Sequence, residues 1–172
     1  MAPSRRPTSV NAITVRDEQP SDEAFLYELY ASTRQDELEA AGWPPEMRGG
    51  FLTMQFRARQ QGYRSAFEGA EFQIIQVNGV KAGEIILYRS ADGLRVVDIA
   101  LLPHFRNVGV GTAILRRVLD EAAAARQPVH LKVDRGSRAE RLYRRLGFSK
   151  ISETELDQEL EWRASAESAA GR

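Results

Sequence analysis

The sequence contains no cysteine. That excludes disulfides, thiolate metal sites and a covalent cysteine acyl-enzyme. Histidine is nearly as scarce, with only His104 and His130, which leaves little from which to build a histidine-based metal site, and no metal is expected. No charge sign dominates: lysine plus arginine number 24 and aspartate plus glutamate also 24, for a formal net charge of zero. This balance argues against binding nucleic acid through bulk charge, so no nucleic-acid partner is expected. No apolar run approaches the length of a membrane span, and the first residues lack the apolar core of a secretory signal. A cytoplasmic protein with no membrane contact is the expectation.

What is present fits one soluble globular domain. The 172 residues are 42% hydrophobic and 28% charged, and a chain of this length buries about two-thirds of its unfolded surface. The chain is organised around residues 96–125. A strand breaks at Pro103, passes through the turn Arg106-Asn107-Val108-Gly109-Val110-Gly111, and continues into a helix of about four turns. A helix start offers unpaired N–H groups and a positive dipole end, and residues without side chains let phosphate oxygens approach the backbone. Gly109 and Gly111 allow that approach and tolerate positive φ, while Arg106 adds a cation and a donor fork. The turn therefore reads as an anion cradle. It is not an NTPase phosphate loop, because Gly111 is followed by Thr112 and Ala113 with no lysine. It fits the dinucleotide fingerprint poorly too, since Ile114 stands at the third glycine and no repeated βαβ units accompany it.

The pattern Arg-x-x-Gly-x-Gly directly after a strand ending in Leu101-Leu102-Pro103 resembles the general N-acetyltransferase (GNAT) superfamily. A second segment strengthens the resemblance: Ala139-Glu140-Arg141-Leu142-Tyr143-Arg144-Arg145-Leu146-Gly147-Phe148 is similar to that family's A-x-x-LY-x-x-x-GF signature, at the expected distance downstream. The resemblance implies acetyl-CoA as acyl-donor co-substrate, with its pyrophosphate held by Arg106, Asn107, Val108, Gly109, Val110, Gly111 and Thr112. It also implies a pantetheine arm entering between two splayed parallel strands, beside Leu101 and Leu102. Backbone N–H groups around Leu101 would stabilise an oxyanion. The family commonly has an asparagine shortly before the position of Ala139; here Gly136-Ser137-Arg138 stands in that region, and Ser137 can cap the helix and replace part of the contact.

The rest of the chain reads as alternating elements. Residues 1–9 (MAPSRRPTS) form a proline- and serine-rich tail expected to be disordered, residues 164–172 are small, polar and expected to fray, and residues 10–163 form the domain. A first strand is predicted over 10–16, then two helices, one beginning after Pro20-Ser21-Asp22 and reaching towards Leu38, the next over 46–61. The second carries two apolar stripes, one with Met47, Phe51, Met54 and Ala58, which predicts that much of it is covered. Trp43, Phe51, Phe56 and Tyr63 are candidates for an acceptor pocket, with simple core packing as the alternative for each. Strands over 72–77 and 81–88 flank Asn78-Gly79, the strongest hairpin signal, and a further strand follows over 94–101. After the central helix come a strand over 129–133, a helix over 138–146 closed by Gly147, and a terminal hairpin over 149–153 and 156–162 with a poor turn signal. The order β-α-α-β-β-β-α-β-α-β-β predicts a mixed α/β single domain, a sheet of about seven strands flanked by about four helices, and agrees with the GNAT-like acyl-CoA N-acyltransferase fold.

Acyl transfer to an amine needs a neutral amine, a stabilised oxyanion and a proton for the departing thiolate, but no acyl-enzyme nucleophile. Tyr143 stands where the resemblance places the general acid, and a phenol near pKa 10 is protonated at neutral pH. The base has two candidates: Asp98, the only carboxylate of the strand before the glycine turn, and Glu84 on the preceding strand. The expected activity is N-acetylation of a primary amine by direct transfer in a ternary complex, the acceptor being a small molecule or a protein amine. The alternative from another class is a non-catalytic acyl-CoA-binding module that regulates a partner. Pairing of the C-terminal strands is the dimer mode the pattern permits.

Overall fold

The computed structural model describes residues 12–165; the predicted tail over 1–9, and all of the C-terminal tail beyond Ser165, lie outside the described residues. The seven strands are β1 (Ile13–Asp17), β2 (Glu71–Val77), β3 (Val80–Ser90), β4 (Gly93–Leu101), β5 (Val129–Asp134), β6 (Ser149–Glu153) and β7 (Asp157–Trp162). The four α-helices are α1 (Glu23–Ala40), α2 (Pro45–Ala66), α3 (Val110–Ala124) and α4 (Arg138–Arg145), with short 3-10 turns at Pro20–Asp22 and Pro103–Phe105. The strands form one mixed sheet in the order β1-β2-β3-β4-β5-β7-β6, in which β4 and β5 run parallel and every other neighbouring pair runs antiparallel. The expected α/β class and element order are what the chain adopts. Among the described residues no helix is long and apolar enough to cross a membrane.

Local chemistry accounts for the connections. Asn78 (φ 51°) and Gly79 (φ 80°) take the left-handed conformations that a tight hairpin between β2 and β3 requires. The β6–β7 turn, which carries little glycine or proline, is organised by a hydroxyl: Thr154 Oγ1 accepts the N–H groups of Leu156 and Asp157 and donates to Asp157 Oδ1 at 2.9 Å. The Ser137 hydroxyl accepts the Glu140 N–H at 3.3 Å and so caps α4.

Each face of the sheet carries its own cluster of buried side chains. On one face Ile114, Leu115, Val118 and Leu119 of α3 pack with Ile85, Leu87, Val96, Leu131 and Tyr143. On the other, Phe25, Leu26 and Leu29 of α1 and Phe56 of α2 pack with Ile74 and Leu102. The expectation that both stripes of α2 are covered is corrected here. Leu52 and Phe56 are buried, but Met47 and Met54 are 58% and 61% exposed, because α2 rests on α1 and the sheet with one side only.

Two irregularities shape the middle of the sheet. The β3–β4 register shifts between Ile86 and Leu87, which face Asp98 and Val96, so Val97 is the extra residue of a β-bulge. Val96 belongs to the α3 face; alternation alone would send Asp98 the same way, and the bulge turns it to the face occupied by α1 and α2. Gly83 is needed for a different reason. A Cβ there would lie 2.1 Å from the Ala100 carbonyl oxygen, so no larger residue fits this crossing of β3 and β4. Finally, β4 and β5 pair only over Leu94–Val96 and Val129–Leu131, and beyond that point the two strands have no ladder between them. The opening lies in the middle of the sheet, directly under the start of α3.

Candidate active site

The opening between β4 and β5 is a cleft of about 310 Å³, lined by Leu101, Arg106, Gly111, Ala139, Leu142 and Tyr143 among others. Its floor is backbone. The Leu102 N–H donates to the Ala82 carbonyl at 2.8 Å on the β3 side, so alternation turns the Leu101 N–H to the opposite side, towards the cleft. Leu102 itself differs from its neighbour: its amide is used by β3 and its side chain is buried between α1 and α2.

At the rim, Asn107 (φ 58°) and Gly109 (φ 89°) reverse the chain into α3, and Gly109 is the residue preceding the helix. Glycine at 109 answers a conformational need, since positive φ strains other residues there. Gly111 is different, for it is helical, and a Cβ on it would touch only Leu101 Cδ1 at 3.7 Å. The backbone does not demand glycine at 111; the bare surface faces the cleft. The first-turn amides of α3, from Val110, Gly111 and Thr112, have no acceptor within the helix and point out of its end. Val108 is exposed and the Val110 side chain is core. Arg106 lines the cleft with its Nε donating to the Leu101 carbonyl at 2.7 Å and Nη2 to the Ser32 hydroxyl at 3.4 Å, contacts that fix its direction.

Tyr143 comes to the cleft from α4. It is buried, its ring meets Phe148 edge-on at 5.6 Å, and among the described residues its hydroxyl has no hydrogen-bond partner. Burial, and next the negative charge of Asp98, push its phenol up to about 12. The group stays a proton donor throughout the neutral range.

A second cleft of about 420 Å³ opens on the α1/α2 face, lined among others by Tyr30, Arg34, Glu37, Arg59, Tyr63 and Glu84 together with Asp98 and Asp134. Thr33, Ile99 and Ala100 line both clefts, so the two join near the C-terminal end of β4. Arg59 of α2 organises the second cleft. Its guanidinium donates to Asp98 Oδ2, stands 3.5 Å from Glu84 Oε2, and lies over the rings of Tyr63 and Tyr30 with 4.9 and 5.7 Å to their centroids. Asp98 is thus occupied by an ion pair. Glu84 is only 2% exposed, and its second oxygen, Oε1, is buried without a partner. Desolvation pushes its carboxyl up to about 7, against the downward pull of Arg59.

The sequence-derived set is therefore divided. Leu101, Arg106, Gly111 and Tyr143 share one cleft, with Gly109 and the α3 amides at its rim; Asp98 lies in the adjoining cleft; and Ser137 serves the start of α4. Of the four aromatic candidates only Tyr63 lines the second cleft. Phe56 is core, and Trp43 stacks on Phe51 at 4.5 Å. Arg59, Thr33 and Asp134 were not distinguishable beforehand. The one available signal was that Arg59 precedes Tyr63 by four residues, which places both on one helix face.

Comparison with known proteins follows the same outline. The model of the acetyltransferase (GNAT) domain matches residues 68–150, from just before β2 into β6. Among solved structures, the PaiA N-acetyltransferase of Thermoplasma acidophilum, in complex with coenzyme A, is similar with a TM-score of 0.68 at 15% identity, over 89% of this chain and 99% of that one. PH1933 of Pyrococcus horikoshii gives 0.65 at 19%, over 90% and 99%. The ribosomal-protein-S18-alanine N-acetyltransferase of Escherichia coli gives 0.59 at 19%, over 90% and 95%. No curated protein matches the chain. At such identities the structures speak for the fold alone, which here extends past the matched segment to nearly the whole chain: residues 68–150 match the acetyltransferase (GNAT) domain, and the chain takes the fold of GNAT N-acetyltransferases.

Proposed function

We propose that the protein moves an acetyl group from acetyl-CoA to a primary amine by direct transfer in a ternary complex. The observation that carries this reading is the junction of the two clefts at Ile99 and Ala100, with a protonated phenol on one side and a buried carboxylate on the other. The chemistry of the first cleft suits acetyl-CoA. The α3 amides and Arg106 supply donors and positive charge for its pyrophosphate, and the gap beyond Val96 and Leu131 exposes strand backbone for its pantetheine amides. Acetyl-CoA supplies an already activated thioester.

The residues then have defined tasks. An acceptor arriving as ammonium gives one proton to Glu84, the carboxylate with a free oxygen and an affinity for protons near neutrality. The neutral nitrogen attacks the thioester carbonyl, the N–C bond forms, and the Leu101 N–H faces the side where negative charge gathers on oxygen. As the C–S bond breaks, Tyr143 gives its proton to the departing sulfur and recovers one, through solvent, from the cationic amide nitrogen. Asp98 is better suited to holding Arg59 than to accepting the proton, because its charge is already engaged.

The test is to incubate the protein with acetyl-CoA and a panel of small amines and peptides, and to read acetylated product and free CoA by mass spectrometry. Product with free thiol in equal amount is expected. Acetyl-CoA that binds but is never consumed with any acceptor would contradict the reading and favour a non-catalytic acyl-CoA-binding module.

A further inference from the structure

The second cleft carries more negative charge than its own arginines answer. Among the described residues four carboxylates line it, Glu37, Glu84, Asp98 and Asp134, against two guanidiniums, Arg34 and Arg59. Arg34 is paired with Glu37 at 3.2 Å, and Arg59 with Asp98. That leaves two groups. Glu84 lies at depth with Oε1 buried and unpartnered, and 3.5 Å separates its other oxygen from Arg59. Asp134, at the end of β5, is exposed and has no ion pair or side-chain hydrogen bond among the described residues. A carboxylate-bearing acceptor would find each guanidinium already facing a carboxylate of the protein. A ligand with two separated cations would meet the partnerless oxygen of Glu84 and the carboxylate of Asp134.

Resting on the acetyltransferase reading above, we propose that the acceptor is an aliphatic diamine, whose reacting amine enters beside Glu84 while its far ammonium is held by Asp134. Tyr30 and Tyr63 line the same cleft, and beside the faces that Arg59 covers their rings add apolar surface suited to a methylene chain. The assignment makes Asp134 a specificity residue: it contributes to the selection of acceptor and takes no part in the chemical step. It also explains why a single cleft has a carboxylate at each of its two levels, one desolvated and one at the mouth.

The experiment measures kcat/KM at saturating acetyl-CoA for putrescine, butylamine and γ-aminobutyrate, with the native protein and with Asp134→Asn. These probes share one chain length and carry a cation, a methyl group or an anion at the far end. After allowance for its two equivalent amines, putrescine is expected to exceed butylamine about fivefold and γ-aminobutyrate by more than about tenfold. In Asp134→Asn the putrescine-to-butylamine ratio is expected to fall to about one. Equal values for putrescine and butylamine in the native protein, or a preference that survives in Asp134→Asn, would overturn the proposal. So would acetylation of a peptide amine with none of the three probes reacting, an outcome that leaves the acetyltransferase reading standing. Failure of acetyl-CoA to bind would instead remove that reading, and the diamine with it.

Discussion

Replacing Glu84 by glutamine is expected to lower kcat/KM by about 10²- to 10⁴-fold, the range lost when a positioned general base is removed. The pH profile separates this from a structural effect. In the native protein kcat/KM should rise through about pH 7 as Glu84 loses its proton, and that inflection should be absent from the Glu84→Gln protein. Stability should move the opposite way. The folded-state pKa is raised from 4.5 to about 7, so Glu84 favours the fold fully only below its unfolded value. That contribution is lost as pH rises through about 7, amounting to about 3 kcal/mol when the carboxylate is fully ionised. Glutamine has the same shape and no charge, and Arg59 keeps Asp98 as its partner. Thermal unfolding well above pH 7 should therefore show a higher melting temperature for Glu84→Gln, with little difference near pH 4.5. A variant that keeps its activity and its pH inflection would transfer the base role elsewhere, with Asp98 first in line.

The second large effect is expected at Tyr143. Removing the hydroxyl with Tyr143→Phe should lower kcat by about 10²-fold or more while leaving acetyl-CoA affinity nearly unchanged, because the hydroxyl makes no contact with protein that the fold depends on. The ring stays against Phe148 and the core stays full. With its phenol at about 12, Tyr143 stays protonated until sulfur departs, and because a thiol is the stronger acid the transfer is completed as the phenolate regains a proton from the cationic amide nitrogen. Steady-state kinetics with calorimetric binding reads the two quantities separately. Equal turnover in both proteins would leave Tyr143 as a packing residue.

The two variants also mark how far the sequence could be read. The glycine turn was legible because its chemistry is local: a strand, a proline, a positive-φ residue and a helix start follow one another within a few residues, and short-range rules fix their geometry. Tyr143 was legible as part of a motif that lies on one helix, although its free hydroxyl was not. The choice between Asp98 and Glu84 was not legible in the same way. Asp98 reaches its face only through the extra residue at Val97, and it is then neutralised by Arg59 from a helix with no local relation to β4. Strand alternation alone foresees neither the bulge nor the partner. Asp134 escaped for a related reason, since what distinguishes it from the other carboxylates is the absence of a neighbour, and neighbours are tertiary. Met47 and Met54 mark the reverse error: an apolar stripe at helical spacing was read as buried, yet α2 has packing partners on one side only.

The central claim is that the first cleft and the start of α3 hold acetyl-CoA, and isothermal titration calorimetry on the native protein beside Gly111→Asp tests it most directly. Gly111 is helical, and a Cβ there would meet one leucine methyl at ordinary contact distance, so the substitution should leave the fold intact by circular dichroism while placing a carboxylate among the anion-binding amides. We expect saturable binding of acetyl-CoA by the native protein and its loss in folded Gly111→Asp. A folded native protein that releases no heat with acetyl-CoA, or a Gly111→Asp protein that binds it equally well, would contradict the assignment of this cleft.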